Sequence, residues 1–151
     1  MVQVIVTVDA HTIPQLAEKL PQISKRGLEL TGDGLIGELT KNSPVDEGLL
    51  RQWRVESATD NEIMIKSPAE YARYVNDGTG IYNGRGLIYP RGKALKFEPG
   101  KKWKGPVSKD GFVYLKYSRG QPGQKFVERS IEATEKKLEG YFQIAIHEVL
   151  G

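Results

Sequence analysis

Pro44 is the position that most restricts how this chain can fold. Its ring fixes its own φ and pushes Ser43 out of the α region, so a helix arriving there must stop. Gly48, four residues on, permits a sharp reversal into the next segment. Upstream, Ile13, Leu16, Leu20, Ile23, Gly27 and Leu30 recur at steps of three and four, the spacing of one helix face. Downstream, residues 49–57 and 62–67 alternate as strands do. Residues 42–51 are therefore read as a helix end, a corner and a strand start, with Val45 anchoring the corner and Asp46 accepting backbone N–H bonds in the turn.

Around that corner the rest of the first half falls into place. Val2, Val4, Val6 and Val8 alternate with polar or β-branched neighbours and predict a strand with one apolar face. Thr12 is a plausible N-cap, Pro14 suits a first helical turn, and Pro21, inside the helical pattern, is expected to kink or divide the helix. Gly32, Gly34 and Gly37 weaken its second half by up to ~1 kcal/mol each relative to Ala. They mark either plain core packing or a close helix contact across a subunit boundary. After Pro44, Trp53 and Val55 are expected on one face of a strand and Ile63 and Ile65 on another, joined into a β-hairpin by residues 58–61. Pro68 ends it. Tyr71, Tyr74 and Val75 then fall at i, i+3 and i+4, one face of a helical turn that Gly78 and Gly80 break.

Residues 78–86 hold four glycines. No Gly-Lys-Ser/Thr follows and the spacing does not fit a dinucleotide fingerprint, so the segment is read as a flexible contact loop and not a phosphate cradle. Two further strands are expected at 93–98 and 111–117, separated by a loop carrying Lys101, Lys102, Trp103 and Lys104. An aromatic ring among lysines can stack on a base while the ammonium groups meet phosphates. The favoured alternative is an exposed hairpin tip whose lysines keep it soluble and whose Trp103 folds back or meets a partner subunit. Neither loop has the apolar content to pack on its own domain. Beyond a turn-rich entry at 119–123, Val127, Ile131, Leu138, Phe142, Ala145 and Val149 form the stripe of a final helix covering the sheet. Glu132 and Lys136 pair on its polar side, and His147 is a favourable cation near its C-terminus.

The expected fold is α+β: one antiparallel sheet of about four or five strands, packed against a kinked N-terminal helix and a C-terminal helix, in a single domain over residues 1–151. A chain of 151 residues can bury a core without metal or disulfide support. It has no cysteine and only two histidines, His11 and His147, which argues against a disulfide scaffold and a structural zinc site. No apolar run approaches the ~20 residues of a membrane span, and the start of the chain reads as cytosolic. The only nucleophile, acid and base combinations are of the kind Ser43, Asp46 and His147, which no catalytic motif supports, so neither enzymatic activity nor a cofactor is expected. Charge is uneven. Residues 1–84 carry 8 basic and 12 acidic side chains, residues 85–125 carry 11 and 2, and residues 126–151 carry 3 and 5. The middle block faces nucleic acid, an acidic protein or solvent.

Several motifs occur in a recognisable order: Pro-Val-Asp-x-Gly at Pro44, Val45, Asp46 and Gly48, followed by Leu50-Arg51; Tyr-Ala-x-Tyr-Val-x-x-Gly-Thr at Tyr71, Tyr74, Val75, Gly78 and Thr79; Ala94-Leu95-Lys96-Phe97; and Gly-x-Pro-x-x-x-Phe from Gly120 to Phe126. Over roughly residues 40–135 the chain resembles the tail-completion and head-tail joining (neck) proteins of long-tailed bacteriophages, the gene-product-ten-like family. The resemblance implies a structural virion protein. It would form a homo-oligomeric ring, expected as a hexamer, that completes the tail tube and joins it to the head connector. Its partners would be the tail tube protein and the connector or adaptor proteins, with transient contact to DNA passing through the ring. It would be assembled in the host cytoplasm and reside in the neck of the virion. Arg85, Arg91, Lys101, Lys102, Trp103 and Lys104 are the candidate contacts to a partner or to DNA. The alternative is a small basic nucleic-acid-binding module.

Overall fold

The computed structural model describes residues 2–7, 17–44 and 48–151. The expectations placed on Val8, Thr12, Ile13, Pro14, Leu16, Val45 and Asp46 lie outside them. The chain forms two compact units: unit 1 comprises Met1–Arg73 and Lys125–Gly151, and unit 2 is Tyr74–Gln124.

Unit 1 is built on a long helix. The strand β1 (Gln3–Thr7) precedes α1 (Leu20–Asn42), and Pro21 lies in the first turn of α1, where its missing N–H has no partner to lose. Pro21 therefore does not interrupt α1; the part of the expected helix from Thr12 to Leu16 lies outside the described residues. The chain then makes a short 3₁₀ turn at Leu49–Arg51 and forms β2 (Arg54–Ala58) and β3 (Glu62–Lys66). These three strands make an antiparallel sheet in the order β1-β3-β2. Ile63 and Ile65 of the central strand are buried, as are Ile23, Leu28, Leu35 and Leu39 of α1. At Gly32 a Cβ would lie 2.6 Å from Cδ1 of Ile63, so the glycine lets helix and sheet approach closely.

The final helical stripe is two helices, α3 (Phe126–Glu135) and α4 (Leu138–Leu150), and not one. Ser130 Oγ donates to Phe126 O at 2.7 Å and Thr134 Oγ1 to Ser130 O at 2.8 Å. Thr31 makes the same bond to Gly27 O inside the unbroken α1, so these bonds do not themselves end α3; the chain tightens at Lys137, whose N–H donates to Thr134 O at 3.0 Å, three residues back. α4 runs antiparallel to α1: Arg26 pairs with Glu148 at 2.5 Å and Lys137 with Glu38 at 3.0 Å, pairs that fix opposite ends of the contact. Between them a Cβ at Gly27 would lie 2.5 Å from the Phe142 ring, and one at Gly34 would collide with the Tyr141 hydroxyl. Gly27, Gly32 and Gly34 thus serve packing within the chain. Gly37 faces open space.

At the corner, Ser43 (φ −65°, ψ 136°) leaves the helix as Pro44 requires. Its hydroxyl donates to Leu39 O at 2.5 Å and accepts from Trp53 Nε1 at 3.1 Å, while the Trp53 ring meets Phe126 edge-on, centroids 6.3 Å apart. Leu50, Trp53 and Phe126 are all buried. Two expectations are corrected here. The strand begins at Arg54 and not at Leu49, because turn bonds from Arg51 N–H to Gly48 O and from Gln52 N–H to Leu49 O hold the chain in a 3₁₀ turn. Val55 does not share a face with Trp53: Trp53 belongs to the turn, whereas Val55 lies exposed on an edge strand with a bulge between Val55 and Ser57.

The helix α2 (Ala72–Asp77) crosses from one unit to the other in sequence. Its buried residues are Ala72 and Asn76, spaced i, i+4; Tyr71 and Val75 are half-buried and Tyr74 is 52% exposed, so the expected Tyr71, Tyr74, Val75 face is not the inward one.

Unit 2 contains β4 (Leu95–Phe97) and β5 (Val113–Leu115), an antiparallel pair with Lys96 opposite Tyr114. They form a separate two-stranded sheet, so the described residues hold sheets of three and two strands and not one of four or five. Alternation finds strands but does not choose their partners. Below this pair, Ile88 bridges Ser118 and Gly78 bridges Pro122. Thr79 N–H donates to Gln121 O at 2.8 Å and Ile81 N–H to Arg119 O at 3.0 Å. Gly78 (φ 85°) and Gly80 (φ 64°) press against this backbone: a Cβ at Gly78 would sit 2.6 Å from Gly123 N, and one at Gly80 would collide with Arg119 O. The start of the glycine-rich segment is therefore a locked ladder, not a flexible loop.

Candidate functional site

The surface that stands out chemically is that of unit 2. It carries ten basic and three acidic side chains, a net +7, while the remaining residues carry twelve and sixteen, a net −4. It buries little. Val113 is its one buried large apolar residue among those described, whereas Tyr82, Tyr89, Tyr114 and Tyr117 are exposed, with Tyr89 at 66%. With so few apolar anchors, the unit leaves several large side chains open to contact with something else.

A groove of about 700 Å³ opens along the β4 and β5 pair. Ile88, Leu95, Phe97 and Leu115 give it apolar walls, and Lys96, Lys102 and Glu98 also line it. Trp103 lines it too, packed edge-on against Phe97 at 5.4 Å with its Nε1 donating to Pro106 O at 3.4 Å. The tryptophan thus folds back on its own unit and is not splayed for base stacking. Lys96 lies over the Phe112 ring at 4.1 Å. Asp110 accepts from the Tyr114 hydroxyl at 2.5 Å and from Phe112 N–H at 3.1 Å, and these bonds, the Tyr114 one foremost, hold its carboxyl below the usual range.

Of the candidate contacts, only Lys102 and Trp103 line the groove; Lys101 and Lys104 flank them in the chain and are exposed, as are Arg85 and Arg91. The corner residues Pro44, Gly48 and Arg51 sit in unit 1, with Arg51 exposed. In the second motif, Gly78 and Thr79 meet residues 119–123, so two motifs some forty positions apart form one ladder, closed further by Gln121 N–H donating to Thr79 Oγ1 at 3.0 Å. Sequence reading missed the exposed tyrosines. Their signal was available: five of the seven tyrosines fall within residues 74–124. Ser43 is engaged by Leu39 and Trp53, and its geometry is that of a structural hydroxyl.

Unit 2 thus presents a cationic surface with several exposed tyrosines. Residues 11–78 match the family model described as "Bacteriophage HK97-gp10, putative tail-component". The resemblance read from the motifs is borne out: the chain is gp10-like over that segment, and the family is one of phage tail components. The match spans α1, the corner, the β2 and β3 hairpin and α2; it starts and stops earlier than the motif order suggested, leaving Ala94 to Phe97 and the 120–126 motif outside it. No curated protein and no solved structure matches the chain. No helix among the described residues is long and apolar enough to cross a membrane.

Proposed function

We propose that this protein is a structural component of a phage virion that assembles as a homo-oligomeric ring at the head-tail interface, where it completes the tail tube and joins it to the connector. The observation that carries this reading is the tail-component match over residues 11–78. The exposed, weakly self-packed unit 2 supports it, since such a surface gains most of its burial from neighbours. Light scattering tests it: the protein is expected to give a multiple of the 16.9 kDa chain mass and to bind purified tail tubes. A monomer that ignores tail tubes would refute it.

The net +7 of unit 2 favours a second reading, a nucleic-acid-binding module. Duplex affinity would then fall with salt at a log-log slope of about −0.9 per phosphate contacted. Changing Lys101, Lys102 and Lys104 to Ala would flatten that slope. Weak duplex binding at physiological salt, together with impaired tail joining in the same variant, is the outcome expected of the tail component.

A further inference from the structure

A ring needs two surfaces per copy, and on the tail-ring reading the structure offers two of opposite character. The first is the groove of unit 2, with Ile88, Leu95, Phe97 and Leu115 in its walls and Lys102 at its edge. The second is on α4, where Glu139, Gln143, Ile146 and Leu150, spaced four, three and four residues apart, form one exposed stripe. Ile146 and Leu150 are each 41% exposed. On α4, Ala145 is buried and Phe142 packs against Gly27, so the core takes the side of the helix next to the stripe and leaves the stripe itself partly open. On α3, Glu135 adds exposed acidic charge, and Glu132 is exposed but already paired with Lys136 at 3.2 Å.

We infer that the α4 stripe of one copy seats in the unit 2 groove of a second copy; the inference rests on the tail-ring reading. Ile146 and Leu150 lie on the aliphatic walls, and Glu132, Glu135 and Glu139 meet Lys101, Lys102 and Lys104. A helix presenting residues at these steps is the usual occupant of an apolar groove. The charges of the two units, +7 and −4, favour this encounter and disfavour groove-to-groove pairing. Because each copy offers a stripe and a groove, the contact is heterologous and repeats from copy to copy. Duplex DNA fits the groove less well: its walls are largely apolar, Glu98 lines it, and Trp103 is committed to Phe97.

A charge exchange tests this. One variant carries Lys101→Glu, Lys102→Glu and Lys104→Glu; the other carries Glu132→Lys, Glu135→Lys and Glu139→Lys, all at exposed positions, with folding checked by circular dichroism and melting. Each variant alone should associate at least ~tenfold more weakly than wild type, and an equimolar mixture should regain the wild-type mass by light scattering. Leu150→Asp, a single exposed change, should weaken association similarly. The inference is overturned if either variant associates like wild type, or if the mixture of folded variants stays monomeric. It is equally overturned if the lysine-exchanged variant self-associates normally but loses duplex DNA or tail tubes, which would assign the groove to that occupant. A wild-type protein that is monomeric at every concentration overturns the ring and this contact together. A wild-type oligomer indifferent to the exchanges overturns this contact alone.

Discussion

Replacing Gly78 by Ala isolates how unit 2 is held together. Two effects add at this position. The residue has φ 85°, where an L side chain costs about 1–2 kcal/mol. Its new Cβ would also meet backbone, Gly123 N at 2.6 Å and Gln121 O at 2.7 Å, and backbone cannot swing aside as a side-chain tip can. Relieving that clash means moving the strand away, which sacrifices the bonds from Thr79 N–H to Gln121 O and from Ile81 N–H to Arg119 O, each worth roughly 0.5–1.5 kcal/mol. The sum is about 2–5 kcal/mol of local stability, equivalent to a roughly 30- to 3,000-fold faster opening. Native-state hydrogen exchange at the Thr79 and Ile81 amides reads it directly. Gly84→Ala is the control: its φ is 78° but nothing lies within 4 Å, so only the conformational cost of about 1–2 kcal/mol applies. Equal exchange at Thr79 and Ile81 in the two variants would refute the argument that backbone contact, and not positive φ alone, demands glycine at 78.

Gly48→Val should lower the melting temperature through its φ of 75° alone, since the site has open space around it; an unchanged melting temperature would show that the corner relaxes freely. Phe126→Ala should cost about 3–5 kcal/mol in urea denaturation, because the ring is fully buried and carries the edge contact with Trp53. Glu38 and Glu148 are held below the ordinary carboxyl value of 4.5, chiefly by hydrogen bonds from Lys137 and Arg26. A depressed folded-state pKa contributes stability that is present above the unfolded value and lost as pH falls through the folded one. Melting temperature should therefore drop below about pH 4.5, and the Glu38→Gln, Glu148→Gln double variant should flatten that acid limb.

What the sequence made legible was whatever a local rule decides. Pro44 had to end a helix, and α1 ends at Asn42 with Ser43 extended. Alternation over 93–98 and 111–117 had to give strands, and the cores of both segments are paired. Pairing across distance was not legible in the same way. Nothing near Gly78 announces that it will lie against Gly123, or that β4 and β5 will decline to join the sheet of β1, β2 and β3. Pro21 shows the limit of a pattern read without its boundaries, since the same ring that breaks a helix interior suits a first turn. The break between α3 and α4 has no glycine or proline; it lies where Lys137 N–H turns to Thr134 O, three residues back in place of four. The exposed site was half legible: the lysines announced themselves by charge, but the groove they border depends on which strands pair.

The ladder between residues 78–81 and 119–122 rests mostly on main-chain atoms and glycines, with Thr79, Asn83 and Ser118 as its side-chain contributors, so it asks little of the side chains at 84–117. It behaves as a clasp that closes whatever segment is threaded between its halves. Lengthening such a closed segment costs only about 0.6 kcal/mol per doubling, less than one hydrogen bond of the clasp is worth at its upper value. A chain organised this way can exchange the side chains of residues 84–117, with most of unit 2's tyrosines and its lysines included, while unit 1 keeps its own core unchanged. The surface that meets the outside world is thereby free to be rewritten for a different neighbour without renegotiating the fold that carries it.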